Sequence, residues 1–275
     1  MPKENDSKCK LINCTEEMQL EWSKRLEEAA LEYGHLYICS DTETTGTQRI
    51  DQTTRAFARV LEWSMSFRVL NDDNVLVPVL DKKGRPIELD QAINPFIEEQ
   101  VTKKQKMSIT YVPKDGIGTH GITEEYLFGN EPGQGGREKL PHCAPPFSEV
   151  FFALQRMMNF PSYLNAEVPV YMVFHNADFD VGFLNQEMEM ISQSPLESYF
   201  IPLDTLIQAK KLIQKNEIAD GYTLDSVFQW SKAKYPEHIK DMDRPIHTAL
   251  IDSLILSEVF SALNLLRLEK IPQPE

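Results

Sequence analysis

Asp41-Thr42-Glu43-Thr44-Thr45-Gly46 follows directly on His35-Leu36-Tyr37-Ile38-Cys39, an apolar stretch with the β-branched and aromatic content of a buried strand. Residues two apart on a strand project to one side, so Asp41 and Glu43 stand together. Two carboxylates held side by side repel, and a cation between them relieves the repulsion. Oxygen-only ligands of this kind suit Mg²⁺ or Mn²⁺ better than Zn²⁺. Taken alone, the pair is an ordinary polar strand end running into a glycine turn. The metal reading depends on further carboxylates downstream.

The pattern around this stretch is that of one α/β domain. Met18, Trp22, Leu26, Ala29 and Tyr33 recur at helical spacing between a Thr15 cap and a Gly34 stop. Residues 59–69 alternate as a second strand, and 74–80 read as a third, at an edge because Pro78 lacks an N–H. Residues 90–116 read as irregular, with a small basic cluster at Lys103, Lys104 and Lys106. The Gly/Pro-rich stretch 128–146 reads as a loop of low structural content. A helix is expected from a Ser148 cap to Met158, then a buried central strand over 168–174 and a helix over 181–191. A short strand ends at Asp204, which caps the helix after it; Thr223 starts another. The last helix runs from His247 to about Leu268, with Leu250, Leu254, Leu256, Phe260 and Leu263 on a broad apolar face. Early strands followed by alternating helices and strands predict a mixed sheet flanked by helices.

The composition narrows the class. In 275 residues, 41% apolar and 25% charged content is that of a globular protein. No apolar run is read as long enough to span a membrane, and the charged first thirty residues lack a signal-peptide core, so a cytoplasmic location and no membrane partner are expected. The four cysteines (Cys9, Cys14, Cys39, Cys143) are irregularly spaced, against a disulfide framework. A net charge of −14 argues against capture of duplex nucleic acid on a basic face. It leaves room for an enzyme that holds a strand end through local contacts and bound metals.

Two more acids stand at element ends. Asp180 follows the buried 168–174 strand, where open α/β sheets place their ligands, and Asp252 lies in the first turns of the last helix. With Asp41 and Glu43 they supply four negative charges, the inventory of a two-metal site. His247, just before that helix, can take a proton from an attacking water at neutral pH.

Three strings, DTETTG (41–46), HNADFDVGFL (175–184) and HTALID (247–252), resemble in order the motifs of the DnaQ-like 3′–5′ exonucleases, in the branch with a histidine base (DEDDh). Val60-Leu61-Glu62-Trp63, Asn94-Pro95, His120-Gly121-Ile122-Thr123, Leu203-Asp204-Thr205-Leu206 and Tyr222-Thr223-Leu224-Asp225 extend the likeness over about residues 35 to 265. The resemblance implies a ribonuclease-H-like fold over 35–268, an N-terminal extension over 1–34, insertions around 68–118 and 128–146, and a tail at 269–275. It further implies that Asp41, Glu43, Asp180 and Asp252 hold two Mg²⁺ or Mn²⁺ ions and that His247 is the general base. Thr44, His120, Asn176 and Phe179 would seat the terminal nucleotide of a nucleic-acid 3′ end, expected to be single-stranded DNA or RNA. The implied reaction releases nucleoside 5′-monophosphates. The alternatives are an exonuclease subunit of a polymerase or repair complex, and an RNA-processing enzyme of the RNase T or oligoribonuclease kind.

Overall fold

The computed structural model describes residues 11–48, 58–96, 112–242 and 248–271. Six strands form one mixed sheet: β1 (Leu36–Thr44), β2 (Val60–Leu70), β3 (Leu76–Pro78), β4 (Glu88–Ala92), β5 (Val170–Phe174) and β6 (Ile201–Asp204). The order is β3-β2-β1-β5-β6, and β4 also pairs with β2. β1 is antiparallel to β2 and parallel to β5, which is parallel to β6. The molecule is thus the expected mixed α/β fold of ribonuclease-H-like form, with helices on both faces.

The alternation of β1 sets the two faces. Leu36 and Ile38 turn toward a large core with Trp63, Met65 and Phe67 of β2. That core is closed by α1 (Glu16–Tyr33), α4 (Phe147–Met157) and α6 (Ala177–Met190). Tyr37 and Cys39 turn the other way, against Leu256 and Phe260 of α9 (Ala249–Glu269). Asp41 and Glu43 continue that second row, so strand parity alone sends both acids to the α9 face. Behind α9 lie α7 (Thr205–Leu212) and α8 (Leu224–Lys234), which share an apolar cluster with it. The short α2 (Lys114–His120), α3 (Glu124–Leu127) and α5 (Pro161–Leu164) complete the α-helices of the described residues.

The residues β2 presents to α9 are Glu62, Ser64, Ser66 and Arg68, all buried. A row of small serines lets a helix come close, and α9 answers with Ser253, Ser257 and Ser261 at four-residue spacing. Ser64 Oγ and Ser253 Oγ meet at 2.5 Å, and Ser261 Oγ accepts the Leu76 N–H at 2.9 Å. This close seating brings the first turn of α9 over the end of β1.

Several sequence expectations need correction. The stretch 90–116 is not irregular at its two ends: 90–92 belong to β4, which pairs with the first half of β2 from Glu62↔Ala92 to Ser66↔Glu88, and 114–116 open α2. The stretch 128–146 has no helix or strand but is docked. Gly121 lies in the left-handed region at φ +73°, and a Cβ there would meet Gln134 O at 2.3 Å. α4 starts at Phe147 after Pro146, without a side-chain cap from Ser148. α6 starts at Ala177, so Asp180 sits in its first turn. On α1 the buried face is Gln19, Trp22, Ser23, Leu26 and Ala30, while Tyr33 is exposed. α9 is buried on nearly every side, not along one apolar face, and Leu250 and Leu254 are only partly covered. By length and composition α9 is also long and apolar enough to cross a membrane, contrary to the sequence expectation; most of it is buried inside the fold. The lysine cluster 103–106 lies outside the described residues.

Candidate active site

Asp41 and Glu43 of β1 and Asp252 of α9 place carboxylate oxygens within 4.8 Å of one another. Two strand residues on one face and one residue from the first turn of a helix make the group. Thr248 caps that helix, its Oγ1 accepting the Ile251 N–H at 3.2 Å. Asp252 is buried and the two β1 acids are half-buried. Three like charges at this range are costly without a compensating positive charge. The donor set, carboxylate oxygen throughout, fits a hard divalent cation such as Mg²⁺ or Mn²⁺.

Asp180 is close in the fold but is not a member of that group. The β1–β5 ladder ends at Cys39↔Val173, beyond which Asp180 serves the β1 backbone. Its Oδ1 accepts the Thr42 N–H at 3.1 Å and the Thr42 hydroxyl at 2.7 Å. Burial pushes its carboxyl up to about 7, against the pull of the two Thr42 hydrogen bonds. Thr42 lies between Asp41 and Glu43, so Asp180 buttresses the strand segment that carries both.

The expected substrate contacts are dispersed. Thr44 is buried, and its hydroxyl donates to Gly46 O at 2.7 Å within its own turn. Asn176 is exposed and left-handed (φ 75°) at the junction of β5 and α6, its carbonyl accepting the Phe179 N–H at 2.9 Å. The α6 start is tied down from the side by Asp204, whose Oδ2 accepts the Ala177 N–H at 3.0 Å. Phe179 is half-buried, packed on Phe183 with ring centroids 4.8 Å apart, and it borders the main core.

His120 ends α2 and is 3% exposed. Its Nδ1 accepts the Ile122 N–H at 3.0 Å, which places the proton of the neutral ring on Nε2. Nε2 is buried and makes no hydrogen bond of good geometry among the described residues, although the Thr44 backbone interacts with the ring and favours its charged form. Burial, reinforced by the Arg137 charge, lowers its pKa to about 4, so the ring is a neutral donor at physiological pH. His247 lies outside the described residues.

Two residues of this region carry no assignment from the sequence. Glu62 stands opposite Glu43 in the β1–β2 register. Its carboxylate takes both terminal nitrogens of Arg137 and also the Ala249 N–H at the start of α9. The motif likeness at residues 60–63 drew attention to Glu62 without a role. Nothing in the Gly/Pro-rich context of Arg137 marks it as buried.

A mixed sheet whose central strand carries D-x-E, met by an Asp from α9, is the arrangement that the motif resemblance implies, on a ribonuclease-H-like fold. The comparisons agree. The chain is 28% identical over 154 residues to DNA polymerase III subunit epsilon of Escherichia coli K12, covering 55% of this chain and 50% of that protein. It is 28% identical over 154 residues to the same subunit of Buchnera aphidicola from Schizaphis graminum (54% and 51%), and 33% identical over 102 residues to that of the Acyrthosiphon pisum strain (36% and 38%). No protein-family model matches the chain. The chain spans at most about half the length of these curated relatives. Over about half its length it is a distant homologue of the epsilon subunits.

Proposed function

We propose that this protein is a metal-dependent 3′–5′ exonuclease that releases nucleoside 5′-monophosphates from nucleic-acid ends. The observation that carries the proposal is the convergence of Asp41, Glu43 and Asp252 within 4.8 Å. Those three would hold the cations, with Asp180 as a fourth acid in the first turn of α6. When bound, divalent ions polarise the scissile phosphate and offset its charge. His247 takes the proton of the attacking water, a role for which a free imidazole is suited near neutral pH. The His120 Nε2–H offers a neutral hydrogen bond to an oxygen of the terminal nucleotide, with Thr44 and Asn176 beside the acids on the same chain segments. Phe179 keeps one side in the core and turns its remaining surface to base or sugar.

The test is digestion of 5′-labelled single-stranded DNA, duplex DNA and RNA by the purified chain, with Mg²⁺ and with EDTA. A ladder shortening from the 3′ end with Mg²⁺, absent with EDTA, is expected on at least one single strand. Cleavage insensitive to EDTA overturns the proposal. A second reading, an exonuclease subunit within a polymerase or repair complex, is favoured by the relatives' names, each a subunit of DNA polymerase III. It predicts a higher specific activity on addition of a polymerase-containing fraction, and an unchanged activity removes it.

A further inference from the structure

We propose that Arg137 and Glu62 form a positioning clamp that holds the first turn of α9, and with it Asp252, in register with β1; the role rests on the metal-dependent reading above. Arg137 belongs to the docked 128–146 loop, remote in sequence from every motif, yet its side chain is 5% exposed and that of Glu62 4%. Its Nη1 and Nη2 donate to the two oxygens of Glu62 at 2.5 and 2.9 Å, while its Nε donates to the His120 carbonyl at 2.5 Å. One planar guanidinium thus ties the His120 turn to β2, a fork that lysine cannot reproduce.

Glu62 passes the constraint on. Its Oε2 also accepts the Ala249 N–H at 2.9 Å, one of the amides a helix start leaves without an intrahelical partner. Negative charge at that end is favoured by the helix dipole. Ala249 and Asp252 are three apart and share one turn, so the bond fixes the turn that carries the acid. On its other side Glu62 faces Glu43 across the ladder. The clamp therefore touches the strand neighbour of one acid and the helical turn of another.

A bland alternative is that the pair only stabilises the fold. Buried ion pairs are poor stabilisers: apolar replacements of both partners are often neutral or better. A pair that spends its hydrogen bonds on a helix start and on the turn of a buried histidine is better explained by placement. Residues that orient metal ligands in this way typically contribute about 10–100-fold to metal affinity or activity.

The test titrates Mn²⁺ by calorimetry into wild type, Arg137→Lys, Glu62→Met/Arg137→Met and Asp252→Ala, each shown by circular dichroism to be folded at the assay temperature. The double variant removes both charges of the pair together, so it carries the test if Arg137→Lys does not fold. Both clamp variants are expected to bind Mn²⁺ about 10–100-fold more weakly. Their kcat for mononucleotide release should fall at fixed Mn²⁺ with KM for the oligonucleotide little changed, and should recover as Mn²⁺ is raised; Asp252→Ala should not recover. Wild-type Mn²⁺ affinity in the folded clamp variants overturns the clamp alone, as does a kcat loss that added Mn²⁺ does not restore. Unchanged Mn²⁺ binding in Asp252→Ala overturns the metal-site reading and the clamp with it.

Discussion

His120 offers a sharp test because its protonation is coupled to folding. Burial and the Arg137 charge hold its folded pKa at about 4 against an ordinary 6.5. The unfolded chain therefore takes up a proton between these values that the folded chain refuses. Stability from this group is complete above pH 6.5, falls as pH drops, and is fully lost near pH 4. The full gap corresponds to about 3 kcal/mol, and the portion lost by pH 5 to about 2 kcal/mol. His120→Asn keeps an acceptor for the Ile122 N–H but cannot titrate. Urea unfolding in EDTA at pH 7.5 and pH 5 should show wild type losing about 2 kcal/mol more than the variant between the two conditions. The smaller Asn lowers stability at both pH values, so only the pH-dependent difference counts. An identical loss in both proteins would refute a buried, neutral His120.

Other expectations follow from the same contacts. Asp180 carries the opposite sign: its carboxyl is raised to about 7, so in EDTA its contribution falls as pH rises from about 4 to 7, and Asp180→Asn should flatten that decline in urea titrations. Arg59 and Glu187 form a pair with side chains 2% and 1% exposed, joining the start of β2 to α6. Arg59→Met should cost about 3–5 kcal/mol, seen as a lower urea midpoint, because it leaves Glu187 charged and buried. Gly121→Ala combines a left-handed φ with a Cβ 2.3 Å from Gln134 O, so it should undock the 128–146 loop and raise its protease sensitivity without unfolding the sheet. His247→Ala should reduce kcat for mononucleotide release more than it changes KM.

The legible parts of the molecule were those where a side chain and the local backbone carry the same message. The β1 stretch, the apolar run 170–174, the Thr15, Asp204 and Thr223 caps and the position of Asp252 all belong to this kind. β4 was hidden because Glu88-Leu89-Asp90-Gln91-Ala92 is polar, and it is a strand only because β2 offers it a partner. The serine stripe of α9 reads as weak amphipathicity until the serines of β2 are opposite it. Arg137 was invisible for a related reason: a charged residue among glycines reads as surface, and its burial depends on Glu62, seventy-five positions away. Of the four acids the sequence singles out, Asp41, Glu43 and Asp252 come together, while Asp180 is turned to Thr42 by contacts that exist only in the folded chain.

The most direct measurement is the product of the purified protein acting on a single-stranded oligonucleotide labelled at its 3′-terminal nucleotide, in Mg²⁺, for wild type and for Asp252→Asn. The wild type is expected to release the label as a nucleoside 5′-monophosphate, and the variant, still folded, to release none. Release of the label by Asp252→Asn at the wild-type rate would contradict the assignment of Asp41, Glu43 and Asp252 as the catalytic centre.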